Sequence, residues 1–113
     1  MGRYLVRTLK EAPEVLHSSC GESRRLITLK DSPDFSFHVV HILDGKKHYH
    51  KRSTETYYVL EGKGKLELDD EIVDLEPGTA VLIPPGTRHR GYGDFKTVVT
   101  GVPAFTAEDE HMD

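Results

Sequence analysis

The 113-residue chain has no tryptophan, a single cysteine and no apolar run long enough to cross a bilayer. Each shortage removes a class of protein. With Cys20 alone, an internal disulfide and a zinc knuckle of several thiolates are both excluded. A lone thiol suits a reducing compartment, and the cytoplasm is the expected location. The opening MGRYLVRTLKEAPEV lacks the apolar core of an export signal. Gly2 is followed by Val6 where a myristoylation signal requires Ser or Thr, so that motif is discarded. No membrane partner is expected.

Positive charge is also scarce. With 15 basic against 19 acidic residues the formal charge is -4, so a nucleic-acid surface would be a local patch working against the overall field. Nucleic acid is therefore not an expected partner. The length suits one domain with one core.

Room for helices is missing as well. FSFHVVHIL (Phe35 to Leu43), TYYVLEG (Thr56 to Gly62), KLELDD, EIVDL, AVLIPPG and FKTVVTGV follow one another closely, with alternating or β-branched residues. EGKGK (Glu61 to Lys65) and DDE (Asp69 to Glu71) read as tight connections between antiparallel neighbours; GKGK completes neither glycine pattern of a nucleotide loop and is taken as a hairpin. The fold class predicted is all-β, a small antiparallel β-barrel. Its expected body is Leu26–Pro103. Met1–Arg25 is expected as an N-terminal arm, with a candidate strand in YLVRTL and a loop with one helical turn after it. Ala104–Asp113 is expected as an acidic tail, a surface strap or frayed end.

The stretch KKHYHKRSTE, Lys46 to Glu55, fits two uses: a basic tract that meets phosphate, or half of a metal site whose lysines face water. Extended backbone separates them, because His48 and His50 share one face while Lys47, Tyr49 and Lys51 share the other. The KRST turn can return Glu55 beside the two imidazoles. Further on, Pro84, Pro85 and Gly86 set the direction of a strand that presents His89. Three imidazoles and one carboxylate are then available to a single ion.

HYHKRSTETYYVLEG and GTAVLIPPGTRH resemble the first and second motifs of the cupin superfamily. The two motifs and the segment between them extend from Gly45 to Gly93. Ile42 stands where the family's first motif places a glycine, and Gly93 where its second often has asparagine; neither position is a ligand. The resemblance implies a double-stranded β-helix, or jelly roll, that binds one divalent metal through His48, His50, Glu55 and His89. That donor set accepts Fe, Mn, Ni, Cu, Co or Zn without choosing among them. It also implies a small-molecule ligand inside the barrel and a homodimer. The activity expected is that of a metal-dependent enzyme, a dioxygenase slightly ahead of an isomerase. The alternative is a non-catalytic module that binds or senses a small ligand through the metal.

Four further residues are weighed for a role beside the metal. Tyr57 shares the face of Glu55 and either orients a ligand or packs in the barrel wall. His38 and His41 lie on opposite faces of one strand; His41, grouped with Phe35, Phe37 and Val39, is the one expected to line the pocket as a substrate contact. Cys20, although near His17, has no orienting partner in the sequence and is read as a plain thiol.

Overall fold

The computed structural model describes residues 4–112. Seven strands are present among them: β1 (Glu14–His17), β2 (Glu22–Ile27), β3 (Ser36–Asp44), β4 (Thr54–Leu68), β5 (Glu71–Leu75), β6 (Ala80–Ile83) and β7 (His89–Val102). All pair antiparallel in the order β1-β2-β3-β7-β4-β5, with β6 against the first half of β4. The only helical pieces among the described residues are single 3-10 turns at Leu9–Glu11 and Ala107–Asp109, and no helix there is long and apolar enough to cross a membrane. The expected all-β antiparallel barrel is what forms.

Long strands carry the architecture. β7 pairs with β3 along one edge and with the length of β4 along the other, which curls the sheet around one interior. Val40, Ile42, Tyr57, Val59, Leu66, Leu75, Ile83, Phe95 and Val99 fill it.

The reversal expected at EGKGK does not occur. β4 runs on through Gly62 and Gly64 for 15 residues, with a register shift between Val59 and Glu61 where it meets β7. The shift changes which residues face inward, from Glu55, Tyr57 and Val59 before it to Leu66 after it. Glycine serves close approach here. A Cβ on Gly62 would lie 2.2 Å from the Asp94 carbonyl oxygen, and Gly62 has φ +85°. A turn and a bulge draw on the same residue, so GKGK carried either meaning. DDE is a turn as expected, with Asp69 at φ 56° and Leu68 paired to Glu71.

The N-terminal segment differs from the expected arm, since β1 and β2 extend the sheet beyond β3. Tyr4 to Thr8 form no strand, although YLVRTL was a candidate. Arg7 anchors that stretch instead, donating to the Leu26 carbonyl at 2.5 Å and to Asp31 at 2.6 and 2.9 Å. Gly2, considered above for lipidation, lies outside the described residues.

β3 corrects the assignment of faces. Its buried residues are Ser36, His38, Val40 and Ile42; Phe37, Val39 and His41 point outward. Phe37 lines an outer groove with Leu5, Val6, Leu26 and Ile27, so apolar residues stand on both faces and alternation alone could not tell inside from outside.

Gly62→Ala is expected to cost about 3 kcal/mol or more, because backbone clash adds to φ strain. Gly78→Ala, also at positive φ but with open space around it, should cost only about 1–2 kcal/mol. Urea unfolding of both variants checks this; equal losses would contradict it.

Candidate metal centre

Three elements deliver the four candidate ligands. His48 and His50 stand on extended backbone before the Lys51–Arg52 bend, Glu55 is in the first turn of the alternation of β4, and His89 opens β7. His48 and His89 exchange both backbone hydrogen bonds, at 3.1 and 2.9 Å, so their rings meet at 4.3 Å between centroids. The Gly86 amide donates to the His50 carbonyl at 2.7 Å, tying the Pro-Pro-Gly turn to the same segment. The nearest donor atoms of His48, His50, Glu55 and His89 lie within 4.8 Å of one another, and all four residues are buried. Lys46, Lys47, Lys51 and Arg52 are exposed, so charge and imidazole separate as the alternation required.

The donor geometry fits a metal ion. Each ring donates its Nδ1–H to a backbone carbonyl: His48 to Lys46 at 2.8 Å, His50 to Asp109 at 3.0 Å and His89 to Thr87 at 2.9 Å. That leaves all three Nε2 lone pairs facing the centre, the orientation a ligating histidine needs. His50 Nε2 lies 3.3 Å from one Glu55 oxygen and His89 Nε2 3.1 Å from the other. These approaches are poorly aligned as hydrogen bonds, and His50 Nε2, His89 Nε2 and Glu55 Oε1 are buried without a partner. Four such groups facing one point can bind a cation.

Electrostatics agree with that geometry. Burial opposes ionisation of Glu55, but His50 and His89 beside it outweigh burial and hold its pKa down at about 2. Burial, then the neighbouring His89, lowers the pKa of His48; at His50 burial is outweighed by Glu55 and Asp109, and the pKa rises. The carboxylate is thus charged and ready as a ligand.

The tail does more than strap the surface. Asp109 is buried and its carboxylate accepts hydrogen bonds from the amides of Lys51, Arg52 and Ser53 at 2.9 to 3.1 Å, fixing the turn between His50 and Glu55. Its backbone carbonyl holds the His50 ring. His111 pairs with Tyr49 through both backbone bonds, and the Phe105 ring stands edge-on to His38 and His50. Glu110 accepts a hydrogen bond from Ser19 at 2.6 Å and lies 3.9 Å from His48 Nε2.

Phe105 and Glu110 help to enclose a narrow cavity of about 30 Å³, room for one water-sized group. Its wall includes Cys20, Ser23, Arg25, His38, Phe105 and Glu110 beside the histidines. A wider groove of about 460 Å³ between Lys63, Lys65, Asp74 and Tyr92 shares no residue with the cluster. Its Lys65 is already paired with Asp74, so the cavity holding the unpartnered donors is the better place for chemistry.

Of the other expected residues, Tyr57 is fully buried with its ring edge-on to His89 and its hydroxyl 3.9 Å from Cys20 Sγ. His41 is not brought in; its Nε2–H donates to Asp94 at 2.7 Å on the outer face, and His38 takes the inward place. Cys20 faces His48 Nε2 at 3.7 Å rather than His17, which is exposed. Burial, then Glu55, pushes the Cys20 thiol up to about 12, so it stays protonated. Ser23, Arg25, Phe105, Asp109 and Glu110 went unread because they lie in segments taken for an arm and a tail. The alternation Ser23, Arg25, Ile27 was the one signal that could have placed the first two.

Asp109→Ala should lower stability by roughly 2–4 kcal/mol in urea unfolding, since three amides lose a charged acceptor. Asp109→Asn, which keeps an acceptor, should recover part of the loss; no loss in either would show that the turn holds itself. A pH effect is expected from His38, whose pKa burial and then Arg25 depress from 6.5 to about 4. The folded state binds fewer protons there, so this contribution is complete above the unfolded value and is lost as the pH falls from 6.5 to about 4. His38→Gln should flatten the fall in unfolding midpoint across that window; an unchanged slope would rule the histidine out.

Comparison with known proteins gives the family. The cupin-domain profile matches residues 40–100. The L-ectoine synthase of Aliivibrio fischeri (strain MJ11) is 32% identical over 95% of this chain and 91% of its own. Among solved structures, a protein from Planctomyces limnophilus superposes with a TM-score of 0.90 at 27% identity, covering 98% of each chain. Streptomyces Pac13 with uridine superposes at 0.85 with 26% identity, over 98% of this chain and 92% of that one, and Pac13 is described as a nucleoside dehydratase. A profile that spans more than half of the chain, and a relative matched along nearly its whole length, place this protein in the cupin family.

Proposed function

We propose that the protein is a metal-dependent lyase that removes water from a small oxygen-rich molecule, with His48, His50, Glu55 and His89 holding one divalent transition ion. The observation that carries the reading is the convergence of three Nε2 lone pairs, each locked by an Nδ1–H bond to backbone, on a carboxylate with an unpartnered buried oxygen. When bound, the ion supplies a Lewis acid that draws electron density from a substrate oxygen. Iron, manganese, nickel, copper, cobalt and zinc all suit the donors.

The chain's own groups supply the proton chemistry. Glu110, a cavity carboxylate outside the cluster and oriented by Ser19, takes the proton from the carbon next to the departing hydroxyl. The C–O bond breaks as a C=C bond forms, and the same carboxyl returns its proton to the leaving oxygen, so an alkene and water result. Burial, then Cys20, raises Tyr57 well above the ordinary phenol range, and Cys20 is likewise held as a thiol. Cys20, in the cavity wall, acts as a hydrogen-bond donor to a bound ligand rather than as a base, with the Tyr57 hydroxyl behind it at 3.9 Å.

The relatives favour elimination over oxygen chemistry. Ectoine synthase and the nucleoside dehydratase Pac13 are neither oxygenases nor isomerases, so the earlier preference for an oxygenase gives way. Mass spectrometry of protein purified without added metal should find about one ion per chain, and His50→Ala or His89→Ala should strip most of it while the β spectrum is kept. Metabolites selected by thermal shift are then incubated in air and under nitrogen. The expected product has lost one water in both atmospheres and is absent with Glu110→Gln. Conversion in air alone would restore the oxygenase, and a ligand recovered unchanged in both would make the protein a binding module.

A further inference from the structure

Opposite the histidines, the cavity wall carries a guanidinium that no carboxylate among the described residues approaches within 4.0 Å; Glu14, across the β1–β2 ladder from it, pairs with Lys30 instead. Arg25 in β2 stands directly across the ladder from His38 in β3, two residues along the same face from Ser23. Arg7, Arg24 and Arg90 each have a carboxylate within 4.0 Å. Arg25 has none among the described residues. Its guanidinium lies 5.1 Å from the centroid of the Phe105 ring, and its Nε is buried without a hydrogen-bond partner. Ser23, 1% exposed, has an equally unpartnered hydroxyl. His38 makes no hydrogen bond among the described residues, and all three line the same cavity as His48, His50 and Glu55.

Unpartnered buried donors cost about 1–3 kcal/mol each, and here they gather in one place beside a space that admits one small group. The ligand they ask for is compact, planar and anionic. We propose that Arg25, Ser23 and His38 form the subsite for a substrate carboxylate. Resting on the lyase reading for the ligand's being a substrate, this makes the molecule processed a small hydroxy acid, with its carboxylate on the Arg25 wall and its hydroxyl toward the imidazoles.

The chemistry discriminates among groups of similar size. A carboxylate oxygen can accept from the Arg25 guanidinium and the Ser23 hydroxyl together, in charge-assisted bonds that a neutral amide oxygen makes only weakly. The Phe105 face against the guanidinium holds its plane, so the donors are oriented before the ligand arrives.

Nitrogen-15-labelled protein, as purified and after loading with zinc, is titrated with glycolate, glycolamide and inorganic phosphate. Glycolate should move the Arg25 Nε–H resonance saturably, and glycolamide should leave it in place. Arg25→Met should weaken glycolate binding about tenfold or more with metal content unchanged, Arg25→Lys should lie between, and Ser23→Ala should cost about threefold. Glycolamide binding as tightly as glycolate, phosphate binding more tightly, or an Arg25 resonance that never moves would overturn the subsite, whether or not the variants fold. Unchanged glycolate affinity in a folded Arg25→Met protein would do the same. A protein that binds glycolate through Arg25 but holds no metal keeps the subsite and rejects the lyase. One that loads metal and ignores glycolate rejects the subsite alone.

Discussion

Everything at the centre hangs from the two hydrogen-bonded edges of β7. Because this strand pairs with β3 on one side and β4 on the other, its first residue is held against the segment that carries His48 and His50. Glu55 enters from β4 on the same interior face. Pairing a single strand on both edges also demands close backbone approach where β4 bends, which only glycine at 62 tolerates. The sheet geometry and the ligand cluster are thus consequences of one pairing pattern. Changing the pattern by one residue would turn His89 outward.

Within that frame the interior is divided electrostatically. One end of the barrel is apolar, from Val59 to Leu66 and Phe95; the other holds four imidazoles, two carboxylates and an arginine. The charged end is stable because most of its groups face opposite charge or backbone dipoles. The groups left without a partner stand in two sets, the ion-facing atoms of the cluster and the Arg25–Ser23 pair. Each set describes what is missing by its chemistry: a cation at one, an anionic group at the other.

The two chain ends complete the cavity. β2 and the turn before it bring Cys20, Ser23 and Arg25 to its rim, and the last residues bring Phe105 and Glu110. Asp109 links stability to chemistry, since its carboxylate fixes the turn between two ligands while its carbonyl orients one of their rings.

The sequence alone determined the fold class and the four-residue cluster, and the reason is locality. Alternation puts His48 and His50 on one face within three residues, Pro and Gly aim His89 over another short stretch, and closely spaced β-branched runs leave no room for helices. None of these needs to know where the chain goes next. Three features depended on contacts distant in sequence and were decided only by the tertiary structure. β3 has apolar residues on both faces, so its inward side followed from which neighbour covered it, and His38 rather than His41 turned in. Gly62 and Gly64 suit a turn or a close crossing equally well, and the presence of β7 alongside chose the crossing. Arg25 and Glu110, 85 positions apart in a chain of 113 residues, meet the same cavity only because β2 pairs with β3 and the tail folds back over the His50 turn. Burial and pairing across such distances are properties of the packed barrel, and local pattern carries no record of them.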